Sequence, residues 1–148
     1  PQPLGHGEHP LAHRQAGENV VAQVCRRLHH PPRGARGADL NQTALQRHGL
    51  SNLHLPIFDR EAPTINQAYM LLIRMQKLVE QGQVLAVHCK AGLGRTGTIV
   101  AAWLIREGGL SSATAIARVR MINRGFVQSA AQEAFLEALE LDLVNRIR

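Results

Sequence analysis

The residues best suited to chemistry lie in one segment, residues 88–97 with the sequence HCKAGLGRTG. Five residues, two of them glycine, separate Cys89 from Arg95. The apolar run 84–87 before the segment predicts a strand, and residues 98–107 after it predict a helix. A strand, a tight loop and a helix N-terminus form a cradle of backbone N–H groups that binds a phosphate-sized anion. A thiol in that cradle would act as a nucleophile on the bound group.

We call residues 89–95 the cysteine loop. A free thiol has a pKa of ~8.5, and the loop N–H groups, the helix dipole and Arg95 all favour its thiolate. Glycines let the backbone turn its N–H groups inward, and the arginine fork matches two phosphoryl oxygens. The hydroxyl of Thr96 could stabilise the sulfur as a leaving group. The predicted phosphate-binding residues are Lys90, Ala91, Gly92, Leu93, Gly94 and Arg95.

This segment resembles the signature of the protein tyrosine phosphatase superfamily, HCxxGxxR followed by Ser or Thr, and most closely its dual-specificity branch. His88, Cys89, Gly92, Arg95 and Thr96 occupy every defined place of the signature. The resemblance extends from about residue 39 to residue 143. It implies an enzyme that hydrolyses phosphotyrosine, and in the dual-specificity case phosphoserine or phosphothreonine, in proteins. Catalysis would pass through a phosphocysteine intermediate, with no cofactor and no metal.

The resemblance also implies a general acid at Asp59. Residues 56–63, PIFDREAP, are similar to the Pro-x-x-Asp-x-x-x-Pro motif that lies some thirty residues before the cysteine in this branch. The aspartate would protonate the leaving oxygen and then act as base for the hydrolytic water. A plain turn aspartate is the alternative interpretation. Of the other aspartates, Asp39 is placed as a helix cap and Asp142 on a C-terminal helix.

Two further residues have open roles. In the family a glutamine after an Arg-Pro-Gly turn helps to position the hydrolytic water, which implies Gln132 here. The turn 123–125, Asn-Arg-Gly, departs from that pattern, and Gln132 could instead form a capping box with Ser129. His88 is expected to hydrogen-bond the backbone near Cys89 and tune it, which is compatible with a packed histidine at the strand end.

The predicted fold class is α/β, a single domain with a central, mostly parallel sheet flanked by helices. The cysteine loop would connect the central strand, buried on both faces, to a buried helix. Strands are predicted at 20–24, 52–57 and 84–87, and helices at 39–49, 64–81, 98–107, from 111 or 112, and from 129. The expected inward positions are Ala68, Leu71, Leu72, Met75, Leu78, Val79, Ala115, Ile116, Val119, Ile122, Phe135, Leu136, Leu139 and Leu143. Residues 39–148 would form the catalytic region, whereas residues 1–38 give no clear pattern.

The net charge of +6 favours an anionic partner. A phosphorylated protein is the expected substrate, because Lys90 is the one basic residue inside the loop and Leu93 occupies a second place that is often basic in lipid phosphatases. Aromatic residues make up only 3% of the chain, which argues against a nucleic-acid partner. No apolar run approaches the roughly 20 residues of a membrane span, so no stable membrane insertion is expected.

The chain has two cysteines, Cys25 and Cys89, too few for a disulfide scaffold. This usage favours a reducing compartment, and the cytoplasm is the expected location. Cys25 is expected to be inert core, with a redox partnership to Cys89 as the alternative. Neither CxxC nor HExxH occurs, so no metal site is predicted. No pattern indicates an oligomeric state.

Three alternatives to a protein phosphatase follow from the same segment. The loop could bind phosphate without turnover, although the joint presence of Cys89, Arg95 and Asp59 argues against that. The enzyme could act on a phosphoinositide or another non-protein phosphate. Sulfur transfer by a rhodanese-like loop is less consistent, because that loop lacks the Gly-x-x-Arg-Thr-Gly ending and gives Asp59 no role.

Overall fold

A computed structural model of the chain describes residues 19–23, 47 and 50–147. The strands are β1 Asn19–Gln23, β2 Leu50–His54 and β3 Leu85–His88. The helices are α1 Ile65–Glu80, α2 Gly94–Gly108, α3 Ser112–Ile122 and α4 Ala130–Ile147. The cap predicted at Asp39, most of the helix predicted after it and the inert cysteine predicted at Cys25 lie outside the described residues.

The three strands form a parallel sheet in the order β2-β1-β3. Gln23, the last residue of β1, pairs with His54 of β2 and with His88 of β3. Since the strands are parallel, the chain leaves both β2 and β3 at the same edge of the sheet. The segment that carries Asp59 and the segment that carries Cys89 therefore start at the same end of the sheet, on either side of β1, although thirty residues separate them in the sequence.

The bounds of β2 and β3 differ from the predicted 52–57 and 84–87. β2 ends at His54 instead of 57, because Pro56 has no N–H to donate to a neighbouring strand. β3 starts one residue later than predicted and is not buried on both faces. Leu85 and Val87 pack against the core, whereas Ala86 is exposed. Among the described residues β3 pairs only with β1, so the prediction of a doubly covered strand is wrong for this part of the sheet.

Helix α2 lies at the centre of the helical layer, where it contacts β3 and the other three helices. Its buried residues include Ile99, Ala101, Ala102 and Ile105, which agrees with its nearly continuous apolar sequence. The helix begins at Gly94, four residues before the predicted start. The N–H of Gly97 donates to Leu93 O at 2.8 Å, which makes the end of the cysteine loop the first turn of the helix.

The surrounding helices follow most of the predicted pattern. In α1 the Thr64–Gln67 capping box is formed, with Gln67 N–H to Thr64 Oγ1 at 3.2 Å and Thr64 N–H to Gln67 Oε1 at 3.0 Å. Ser111, rather than Ser112, caps α3. Fourteen inward positions were expected, and two of them are wrong: Val79 is 47% exposed and Ile122 is 77% exposed. Both lie in the last turn of their helix, on a face that the neighbouring elements leave exposed.

Over the part of the chain that the structure describes, no helix combines the length and the apolar character that crossing a bilayer requires.

Candidate active site

The Cys89 thiol lies directly after β3 and is buried at the N-terminus of α2. Burial by itself raises the pKa of this thiol. Hydrogen bonds from the Thr96 hydroxyl and from the N–H groups of Thr96, Leu93 and Gly92 outweigh burial and hold the pKa of Cys89 below its ordinary value. Gly92 has a φ of 70°, the left-handed conformation that the turn requires and that glycine adopts without steric cost.

Thr96 lies in the first turn of α2 and faces the cysteine. Its Oγ1 atom is buried and makes no other well-formed hydrogen bond within the described residues. The hydroxyl is therefore available to the sulfur, and its proton stabilises a thiolate more than a thiol.

Arg95 is the residue that joins the cysteine loop to the segment around Asp59. The arginine side chain is only 5% exposed. Its Nη1 donates to Ile57 O at 3.2 Å, and its Nη2 lies 3.2 Å from Asp59 Oδ1. The Asp59 side chain is 71% exposed, so this ion pair adds little to stability. The ion pair instead determines position: it keeps the Asp59 carboxylate next to the guanidinium that would bind a phosphate.

We call residues 57–63 the acid loop. Ile57 is buried at its start, and a turn closed by Glu61 N–H to Phe58 O at 3.1 Å follows. Arg60 occupies the left-handed region with a φ of 61°. Downstream of Asp59, the carbonyl of Arg60 accepts from Ser129 Oγ and the carbonyl of Glu61 accepts from Gln132 Nε2. Residues from the start of α4 thus hold the acid loop from the other side.

Gln132 is fully buried and its amide is fixed at both ends. Oε1 accepts the N–H of Gln128 at 2.7 Å, and Nε2 donates to Glu61 O at 3.2 Å. The backbone N–H of Gln132 donates to Ser129 Oγ, as predicted for a cap, but no return bond to the Ser129 N–H forms among the described residues. The full capping box is therefore wrong. A Cβ on Gly94 would lie 3.1 Å from Gln132 Oε1, so the amide is next to the cysteine loop.

The turn between α3 and α4 packs against the start of α2. The sequence analysis did not predict this contact. A Cβ on Gly97 would lie 2.4 Å from Phe126 Cβ, which makes glycine necessary there. Arg120 donates to Phe126 O at 3.3 Å and to Val127 O at 2.6 Å, and it pairs with Glu133. Val127 has a φ of 56°, a strained conformation for a β-branched residue. Arg120 has no sequence signal, because its partners are backbone carbonyls.

The remaining predicted residues lie around the loop. Lys90 and Ala91 are exposed at its mouth, Gly92 and Leu93 are half-buried and Gly94 is buried. His88 is half-buried, and its ring makes no hydrogen bond to a described residue, so the predicted bond to the nearby backbone is not formed there. Residues 19–23, 47 and 50–147 contain no cluster of three or more His, Cys, Asp or Glu able to hold a metal ion.

Together these residues form an anion site with a thiol at its base. The Cys89 sulfur accepts hydrogen bonds from Gly92, Leu93 and Thr96. The Arg95 guanidinium belongs to the same loop, and the exposed carboxylate of Asp59 lies beside it. Such a site can bind a phosphoryl group by N–H groups and guanidinium, offer it a nucleophile and supply a proton to a leaving oxygen.

Comparisons with known proteins identify the family to which the chain belongs. Residues 16–109 match the family model described as Tc-R-P, polymorphic toxin system, DSP-PTPase phosphatase. An 86-residue stretch is 33% identical to the tyrosine-protein phosphatase CDC14 of Candida albicans, covering 58% of this chain and 16% of that protein. This chain therefore corresponds to a small part of that relative.

Two solved structures share the fold. Tk-PTP in its active form superposes with a TM-score of 0.73 at 30% identity, over 84% of this chain and 80% of that one. PTPMT1 in complex with PI(5)P superposes with a TM-score of 0.74 at 23% identity, over 88% of this chain and 81% of that one. The second likeness concerns the fold alone. With the family match spanning more than half of its residues, the chain belongs to the DSP-PTPase phosphatases, within the tyrosine and dual-specificity phosphatase superfamily.

Proposed function

We propose that this protein is a cysteine-dependent phosphatase that hydrolyses phosphotyrosine, and with it phosphoserine or phosphothreonine, in proteins. The observation that carries the proposal is the Cys89 thiol, whose pKa is lowered by the N–H groups and hydroxyl at the start of α2, beside Arg95 and Asp59. A binding module without turnover would have no use for a nucleophile and an acid at the same anion site.

In the first step the Cys89 thiolate attacks phosphorus in line with the leaving oxygen. The Sγ–P bond forms, the P–O bond breaks, and Asp59 gives its proton to the departing oxygen. Arg95 and the N–H groups of residues 90–95 hold the equatorial oxygens, which supplies the charge stabilisation of the transition state. A phosphate that binds Nη2 replaces the carboxylate of Asp59 at that nitrogen and frees the acid for the leaving group.

In the second step a water attacks the phosphocysteine and Asp59, now ionised, takes its proton. The Sγ–P bond breaks, inorganic phosphate leaves and the thiolate returns, stabilised by the buried hydroxyl of Thr96. We assign the positioning of that water to Gln132, whose fixed amide is next to Gly94 and the acid loop.

A protein substrate is favoured by the CDC14 relative, which is named a tyrosine-protein phosphatase. A phosphoinositide is the second candidate, because the neighbour PTPMT1 was solved with PI(5)P. Lys90 is the one basic side chain of the loop besides Arg95, which suits a single phosphoryl group better than a polyphosphorylated headgroup. We also propose a cytoplasmic location.

We propose that residues 39–148 form the catalytic region and that β1 completes it from the N-terminal segment. The three parallel strands would then belong to a larger, mostly parallel central sheet flanked by helices, consistent with the superposition on Tk-PTP.

The test is hydrolysis of an aryl phosphate in the presence of EDTA. Wild type should turn over, vanadate should compete, and Cys89→Ser should be inactive because serine supplies no thiolate. Cys25→Ser is the matched control and should keep the wild-type rate. Turnover by Cys89→Ser would refute the mechanism, and the relative kcat/KM on phosphopeptides and on phosphoinositides would decide between the two substrate classes.

A further inference from the structure

We infer that Ser129 is a positioning residue for Asp59: its hydroxyl fastens the backbone of the acid loop to the start of α4 and keeps the carboxyl in place once phosphate has bound. The inference deepens the proposed function and rests on it, because it takes Asp59 as the general acid.

Among the described residues, the side chain of Asp59 is anchored by the arginine alone. It is 71% exposed, and its ion pair is the one with Arg95 Nη2 at 3.2 Å. The same guanidinium is the group that must bind the phosphoryl oxygens. When phosphate takes that nitrogen, the carboxyl loses its partner, and only the backbone on either side of residue 59 can still restrain it.

The backbone restraints after Asp59 come from α4. Ser129 Oγ donates to Arg60 O at 2.5 Å, and Gln132 Nε2 donates to Glu61 O at 3.2 Å. Before Asp59, Arg95 Nη1 holds Ile57 O. Arg60 is the residue next to the acid; its φ of 61° lies in the left-handed region, and its carbonyl accepts from the serine.

A serine hydroxyl has one proton to donate and two lone pairs to accept with. In Ser129 one lone pair accepts the N–H of Gln132 at 3.2 Å, which is the helix-capping function, and the proton goes to Arg60 O. The two functions use different parts of the same oxygen.

The rest of the segment gives Ser129 a fixed position. It precedes the 18-residue helix α4, whose residues Phe135, Leu136 and Leu139 are buried in the core. Arg120 holds the carbonyl of Val127 at 2.6 Å, two residues earlier. A donor supported on both sides can restrain an exposed loop, and misplacement of a catalytic group by about 1 Å can cost on the order of 10²-fold in rate.

The experiment uses aryl phosphates whose leaving groups differ in pKa, from an activated dinitrophenyl ester to phenyl phosphate. Ser129→Gly retains a residue that is tolerated at a helix N-cap but removes the donor to Arg60 O. We expect its kcat/KM for phenyl phosphate, relative to kcat/KM for the activated ester, to fall ~10-fold, because only a poor leaving group needs the proton. Ser129→Asn, which both accepts and donates, should restore most of the ratio.

Ser111→Gly is the matched control. Ser111 caps α3 by accepting Thr114 N–H at 3.2 Å and has no contact with the acid loop, so its loss tests capping alone. The leaving-group ratio should stay at the wild-type value. In an Asp59→Asn background, Ser129→Gly should cause no further change of the ratio, because the serine acts through the acid.

Two results would overturn the inference. One is an equal loss of kcat/KM for both esters in Ser129→Gly, which would show a general effect on the fold. The other is an additive loss in the double variant. Asp59→Asn alone tests the proposed function separately: if it leaves the leaving-group dependence unchanged, Asp59 is not the acid and the role of Ser129 falls with it.

Discussion

The cysteine loop and the acid loop meet at Arg95, but they are built in different ways. In the cysteine loop the partners of the Cys89 sulfur lie within seven residues of it, and the loop continues directly into α2. The acid loop is exposed, and its contacts reach Arg95, Ser129 and Gln132, between 38 and 71 residues away. One region is fixed by its own backbone, whereas the other is held in place by the rest of the domain.

Because of this difference, we expect substitutions in the cysteine loop and in the acid loop to have different effects. A substitution in the cysteine loop alters the electrostatics of a buried thiol. A substitution around the acid loop alters where an exposed carboxyl stands, with little effect on the thiol. Three substitutions test this expectation: one affects both loops, one affects the cysteine loop and one affects the acid loop.

The largest effect is expected from Arg95→Lys, because this residue serves both loops. A lysine is a point charge without the planar fork, so it cannot hold Ile57 O together with Asp59, or with a phosphate in place of Asp59, as the proposed role of the guanidinium requires. We expect kcat/KM for an aryl phosphate to fall by roughly 10³-fold, the scale of losing an oxyanion donor. Arg124→Lys, at an exposed arginine, is the control, and a loss of less than tenfold in Arg95→Lys would contradict the proposed sharing.

A smaller effect, confined to the cysteine loop, is expected from Thr96→Ala. The Thr96 hydroxyl lowers the pKa of Cys89, so its removal should raise that pKa and shift the acidic limb of the pH–rate profile to higher pH. At a pH below the pKa, a smaller fraction of the thiol is then ionised and alkylation by iodoacetamide is slower. The rate of alkylation against pH measures the shift directly.

Thr96→Ser keeps a hydroxyl and should restore the profile. An unchanged pKa in Thr96→Ala, or a lowered one, would show that the Thr96 hydroxyl does not act on the sulfur.

The smallest effect, confined to the acid loop, is expected from Arg60→Gly. Arg60 has a φ of 61°, which glycine adopts without the steric cost that other residues have there. We expect the free energy of unfolding in urea to rise by about 0.5–1 kcal/mol, with the pKa of Cys89 unchanged. Glu61→Gly, at a neighbouring exposed residue without a positive φ, should lower stability instead. Equal effects of the two substitutions would contradict the strain at Arg60.

The sequence by itself determined the cysteine loop. Its glycines, its arginine and its place between an apolar run and a helix are local features, and the structure has them at the predicted positions apart from the earlier start of α2. The Thr64–Gln67 capping box is local in the same way. Local hydrogen bonds and backbone preferences depend on neighbouring residues, which are present in the sequence.

Only the tertiary structure decided how the acid loop is held and how far each element is covered. Whether Ala86, Val79 and Ile122 are buried depends on which elements pack over them, not on their own apolar character. The destination of the Gln132 amide, away from Ser129 and toward Glu61, depends on a chain segment 71 residues earlier. Backbone carbonyls are identical at every residue, so the long-range hydrogen bonds that Arg95, Ser129 and Gln132 donate to them leave no pattern in the sequence.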